Sequence, residues 1–87
     1  MAVIVELFTS NVCSRCVQAK ATLRELIDEL EDQPFELRFI DVIEHLDYAV
    51  EVGVLATPAL AVNGELISTS IPGKRKLREL LMKQLTQ

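Results

Sequence analysis

Val3-Ile4-Val5-Glu6-Leu7-Phe8-Thr9, then Ser10-Asn11-Val12, then Cys13-Ser14-Arg15-Cys16: this stretch decides which fold the chain can adopt. Its first seven residues are β-branched or apolar on both faces apart from Glu6. That predicts a strand covered on both sides, hence a central one. Ser10 and Asn11 break the strand, and from Ser14 to Glu31 the period turns helical. Cys16, Ala19, Leu23, Leu26, Ile27 and Leu30 form one stripe at spacings of three and four, with Gln18, Arg24, Glu25, Asp28 and Glu29 on other faces. Asp32-Gln33-Pro34 ends the helix, since Pro cannot continue it. The cysteines therefore sit where a central strand passes into a helix.

Working outward, Phe35 to Asp41 alternates apolar with polar up to Phe39-Ile40 and predicts a second strand, less completely covered. Glu44 to Val52 predicts a short helix with Leu46, Ala49, Val50 and Val52 inward, stopped by Gly53. Pro58 to Val62 and Glu65 to Ser70 flank Asn63-Gly64, a strong hairpin signal because both central residues of a type I′ turn need φ > 0. Pro72-Gly73 opens a last helix with Leu77, Leu80, Leu81 and Leu85 inward. The order is β-α-β-α-β-β-α. The first two strands should be parallel through a right-handed crossover, and the hairpin should add two strands running against them.

Eighty-seven residues with 49% hydrophobic and 25% charged side chains suit one small folded domain spanning 1–87, and exclude a disordered or fibrous chain. No apolar run nears the roughly 20 residues that cross a bilayer. Met1 to Thr9 lacks the basic start and small-residue cleavage site of a signal peptide, so a soluble, cytoplasmic, monomeric protein is expected. A net charge of −4 argues against nucleic acid as a partner. Between Glu25 and Glu65 Arg38 is the only base, whereas Lys74, Arg75, Lys76 and Arg78 cluster near the end. Two oppositely charged solvated faces account for this; attraction of an acidic partner by the basic cluster is the alternative.

Cysteine usage narrows the chemistry. A secreted mini-protein of this size normally needs more than the two cysteines present, and a zinc site normally needs four ligands, against two thiols and His45 here. Three positions apart, the two sulfurs can share a helical turn and close a small disulfide ring. Cys13 falls at the helix start, where unpaired N–H groups and the macrodipole favour the reactive thiolate. Cys16 lies on the apolar stripe and should be less exposed. Cys13 is thus expected to attack and Cys16 to resolve the mixed disulfide. Two structural thiols, or half of a metal site completed by a second chain, remain as alternatives.

Phe8-Thr9-Ser10-Asn11-Val12-Cys13-Ser14-Arg15-Cys16 resembles the strand-loop-helix of glutaredoxins, with its aromatic-Thr-x-x-x-Cys-x-x-Cys run. Val54-Leu55-Ala56-Thr57-Pro58-Ala59-Leu60-Ala61-Val62-Asn63-Gly64 resembles the thioredoxin segment that holds a cis-proline and the following hairpin. Together they are similar to small single-domain thioredoxin/glutaredoxin-like proteins of the thioredoxin superfamily, from Ile4 to Leu85. The resemblance implies a cis Pro58 beside the disulfide, with Thr57 offering its backbone to substrate; composition alone would favour trans, since only about 5–6% of X-Pro bonds are cis. Ser14-Arg15 replaces a dipeptide that usually contains Pro, Val12 stands where thioredoxins have Trp, and Ser10 where glutaredoxins have Lys. Of the glutathione-binding Gly-Gly…Asp run only Gly73 has a counterpart, which weighs against glutathione.

The expected fold is α/β, a minimal thioredoxin fold with a four-stranded mixed sheet and helices on both faces. The expected function is thiol–disulfide exchange by Cys13 and Cys16 on cytosolic protein disulfides, without cofactor or metal, fed by a thioredoxin-reductase-type donor. A glutathione-dependent glutaredoxin, or a non-catalytic metal or sulfur carrier or interaction module, are the alternatives. Arg15 is expected to tune the Cys13 thiolate. Glu6 is expected to reach solvent or pair with Lys20, with proton transfer to the resolving cysteine, as a buried Asp serves in thioredoxins, as the alternative. His45 should be solvated, and Phe8, Phe35, Phe39 and Tyr48 should be packing residues.

Overall fold

A computed structural model describes residues 2–86. Its elements are β1 (Val3–Thr9), α1 (Ser14–Glu29), β2 (Phe35–Asp41), α2 (Leu46–Val52), β3 (Ala59–Val62), β4 (Glu65–Ser68) and α3 (Lys74–Gln84). The sheet order is β2-β1-β3-β4, so β1 is interior, as its two-sided apolar pattern required. β1 runs parallel to β2 and antiparallel to β3, and β3 antiparallel to β4. Only one hairpin strand therefore runs against β1; β4 turns back to its direction, because any tight hairpin reverses the chain.

Strand alternation sorts the core into two layers. Val5 and Leu7 of β1, with Leu60 and Val62 of β3, pack against Ala19, Leu23 and Leu26 of α1 and Leu77 and Leu81 of α3. Phe8, Ala59 and Ala61 point the other way, onto Ala49 of α2. Each fully buried Leu contributes about 1.5–3 kcal/mol, so the two-helix layer carries most of the apolar driving force. Lys20 and Arg24 lay their cations over the Phe39 ring at 5.6 and 5.1 Å, closing the β2 edge.

The turns follow from local chemistry. Asn63 (φ 52°) and Gly64 (φ 82°) make the β3–β4 turn in the left-handed region. Asn63 also accepts from the Ile4 N–H through Oδ1 at 2.9 Å and donates its own N–H to the Ile4 carbonyl at 2.8 Å. α1 stops two residues short of Glu31, where the Leu30 N–H is shared between the Leu26 and Ile27 carbonyls. α2 begins at Leu46, not Glu44, because Asp41 Oδ1 accepts from the N–H groups of Ile43 and Glu44 and holds a turn there.

α2 is also rotated from its expected setting. Ala49 is buried, but Leu46 and Val50 are 56% and 67% exposed. Tyr48 turns inward instead, its ring 5.8 Å from that of Phe8. Apolar residues occupy several sides of this seven-residue helix, so periodicity could not choose the buried face.

Candidate active site

The register brings two loops together. Phe8 pairs with Ala59 across the antiparallel β1–β3 ladder, so Ser10, just past β1, faces Thr57, just before β3. Their hydroxyls are 3.2 Å apart. The Thr57–Pro58 peptide bond is cis, with Pro58 buried and Thr57 half-buried. Cys13 is the N-cap residue of α1, and no side chain caps the helix there. The free N–H groups of that first turn therefore face the Cys13 sulfur's surroundings.

Cys13 and Cys16 form a disulfide, with Cα atoms 5.4 Å apart. Cys13 is partly exposed, whereas Cys16 is 2% exposed. The asymmetry expected from the apolar stripe is present. Arg15 projects from the same turn and, with Thr57 and Pro58, lines a groove of about 620 Å³ that continues past Ile71-Pro72-Gly73 to Lys74. The disulfide pair, Arg15, Thr57 and Pro58 thus gather at one end of the sheet. Among the described residues, no three His, Cys, Asp or Glu side chains group as metal ligands, and no helix is long and apolar enough to cross a membrane.

Glu6 stands apart from this cluster and corrects the expectation for it. It neither reaches solvent nor pairs with Lys20: it is 4% exposed and accepts a 2.5 Å hydrogen bond from the Tyr48 hydroxyl. Alternation along β1 puts Leu7 on the α1 side and Glu6 on the α2 side, across the sheet from the helix bearing the cysteines. Tyr48 is accordingly more than a packing residue. Its hydroxyl pKa is pushed up to about 12, first by donation to Glu6 and then by burial. No local sequence signal joins residues 42 positions apart; the only hint was a carboxylate in an apolar strand that needed a donor. His45 is exposed, as expected.

The basic cluster is partly consumed within the chain. Lys74 bonds Glu25 at 2.7 Å and also Glu29, and Arg78 lies 4.0 Å from Glu29, so α3 is clasped to α1. The carboxylates of Glu25 and Glu29 hold the Lys74 pKa above the usual lysine range.

Residues 1–82 match the family model described as a thioredoxin domain. The chain belongs to the thioredoxin family. It is 36% identical over 81 residues to a thioredoxin of Methanocaldococcus jannaschii, covering 93% of this chain and 94% of that one. With a probable thioredoxin of Methanothermobacter marburgensis it shares 31% over 85 residues, covering 98% and 99%. Among solved structures, a malarial protein superimposes with a TM-score of 0.81 at 19% identity, covering 98% of this chain and 99% of that one. A mutant thioredoxin from Halobacterium salinarum gives 0.77 at 22%, covering 93% and 73%. Family membership and the Cys13–Cys16 disulfide together make this thioredoxin-family chain a thiol–disulfide oxidoreductase. A glutathione-dependent glutaredoxin is not favoured.

Proposed function

We propose that the protein reduces disulfides of other proteins in the cytoplasm, acting as a monomer, with Cys13 as attacking thiolate and Cys16 as resolving thiol. The observation that carries this reading is a partly exposed Cys13 at a helix start, bonded to a buried Cys16, on a loop whose Ser10 hydroxyl lies 3.2 Å from that of Thr57. The Cys13 thiolate attacks one sulfur of the substrate disulfide, forming a mixed disulfide and expelling the other sulfur as a thiolate, which takes a proton from water. Cys16, deprotonated, then attacks Cys13 Sγ, closing the ring and releasing the second substrate thiol. Two electrons pass from the dithiol to the substrate, and an upstream dithiol donor restores them. Arg15 stabilises the thiolate. Thr57 pairs its N–H and C=O with an extended substrate backbone, a mode that reads little sequence by itself.

Electron supply tests the reading. A protein disulfide should be reduced faster with thioredoxin reductase as donor than with glutathione and its reductase. Turnover with glutathione alone would assign a glutaredoxin-like role. Turnover with neither, in protein carrying stoichiometric metal or sulfane sulfur, would assign a carrier.

A further inference from the structure

Two grooves of different chemistry meet at Ala56-Thr57, and both residues line both grooves. The larger lies along α1, with Arg15, Gln18, Glu25 and Lys74 around it. The smaller, about 250 Å³, lies against α2; Leu46, Val50, Val54 and Leu55 contribute to its wall and no charged side chain does. Leu55 is 99% exposed, and Val12, next to Cys13, is 94% exposed. Exposed apolar side chains this concentrated around a site mark a surface that meets a partner. On the other side, Lys74 is already held by Glu25 and Glu29, whereas Arg15 enters none of the ion pairs among the described residues.

We propose that the substrate segment crosses Thr57 in one fixed direction, with a large apolar side chain in the α2 groove and an acidic side chain at Arg15 in the other. This rests on the proposed reductase reading and on Thr57 as its backbone contact. The two grooves share Ala56 and Thr57, and two residues of extended chain cover about 7 Å, so the substrate positions two residues to either side of the reacting cysteine are the ones to vary. Discrimination comes from the wrong orientation as much as the right one. An acid placed in the α2 groove loses water without meeting a cation, and Asp47 and Glu51 share α2 with Leu46 and Val50.

The test uses two peptides of identical composition, each with one cysteine bonded to 2-mercaptoethanol. One carries Leu two residues before the cysteine and Glu two after; the other carries them reversed, with Ser and Gly elsewhere. Pre-reduced protein is mixed with each, quenched in acid, and the freed peptide thiol is measured. Attack by Cys13 breaks the mixed disulfide and releases mercaptoethanol, and closure by Cys16 then frees the peptide. One order should react about tenfold faster than the other. Both the double substitution Leu46→Ser/Val50→Ser and the single Arg15→Gln should cut that ratio below about threefold. Equal rates for the two orders overturn the inference, as does a ratio that survives both variants. Consumption of bis(2-hydroxyethyl) disulfide without either peptide also overturns it. If not even that small disulfide is reduced, the reductase reading itself falls.

Discussion

Replacing Tyr48 with Phe removes one hydroxyl and leaves Glu6 inside the protein without its donor. Glu6 is 4% exposed and the bond is 2.5 Å, a charge-assisted O–H···O⁻ contact. Such a bond is worth about 1.5–3 kcal/mol, and stranding the carboxylate adds part of its desolvation. Tyr48→Phe should therefore cost about 2–3 kcal/mol. With a urea m-value near 1 kcal/mol/M for a chain this small, the unfolding midpoint should fall by about 2 M. Adding Glu6→Leu to Tyr48→Phe should recover most of the loss, since removing both partners spares the stranded charge. The pH dependence has a definite sign. The folded Tyr48 pKa is raised from 10.0 to about 12, so its contribution is complete below pH 10 and lost as pH rises from 10 to 12. Two units would correspond to roughly 2.7 kcal/mol, which partial solvent contact reduces to about 1–2 kcal/mol. Wild type should lose that much across the window relative to Tyr48→Phe. A midpoint within 0.3 M of wild type for Tyr48→Phe (about 0.3 kcal/mol) would refute the reasoning.

Cys16→Ser should trap a mixed disulfide on Cys13, and Cys13→Ser should trap none; mass spectrometry showing a trap on Cys16 in the latter would reverse the roles. Arg15→Gln should slow attack about twofold at pH 7, because an adjacent cation raises thiolate occupancy several-fold while a Brønsted slope of about 0.4–0.5 returns part of it. The same change should move the reduction potential by less than about 10 mV, read by equilibration with a dithiol buffer; 30 mV or more would mean that Arg15 contacts favour one redox state. Asn63→Ala should cost about 1–2 kcal/mol in urea unfolding, since it loses both tolerance of φ 52° and the bond from the Ile4 N–H. Asn63→Gly should recover the backbone part and not the hydrogen bond.

What could be read beforehand was local. The apolar stripe of α1, the two-sided pattern of β1 and the Asn63-Gly64 turn are each set by neighbours in sequence, and the Cys13–Cys16 spacing permits the disulfide that the structure forms. Gly53 likewise ends α2 at φ 98°. The rest depends on partners distant in sequence. β4's direction is not among these: with β3 antiparallel to β1, the tight Asn63-Gly64 hairpin by itself makes β4 parallel to β1. Glu6 is a lone carboxylate in an apolar strand, and which helix it faces depends on which one covers its side of the sheet. The apolar pattern of α2, with Leu46, Val50 and Tyr48 on different sides, fits more than one rotation of a short helix. Ser10 and Thr57 are 47 residues apart, and only the β1–β3 register joins them.

The unequal covering of the sheet connects these corrections to the site. One face lies under α1 and α3, of 16 and 11 residues, and the other under α2, of seven. A helix of two turns can cover that face only where the strand side chains are small, and Ala59 and Ala61 are the residues β3 presents to it. Below them on β1, Glu6 fills a position that a short helix could not seal with apolar volume. Tyr48 seals it by spanning the gap and bonding the carboxylate, but α2 must rotate to bring Tyr48 in. That rotation turns Leu46 and Val50 outward, toward the groove beside Thr57. The same choice that satisfies a buried charge on one side of α2 therefore places apolar surface at the rim of the disulfide on the other. Tyr48→Phe would remove the bond that holds this rotation, so it should weaken any discrimination the α2 groove provides as well as stability.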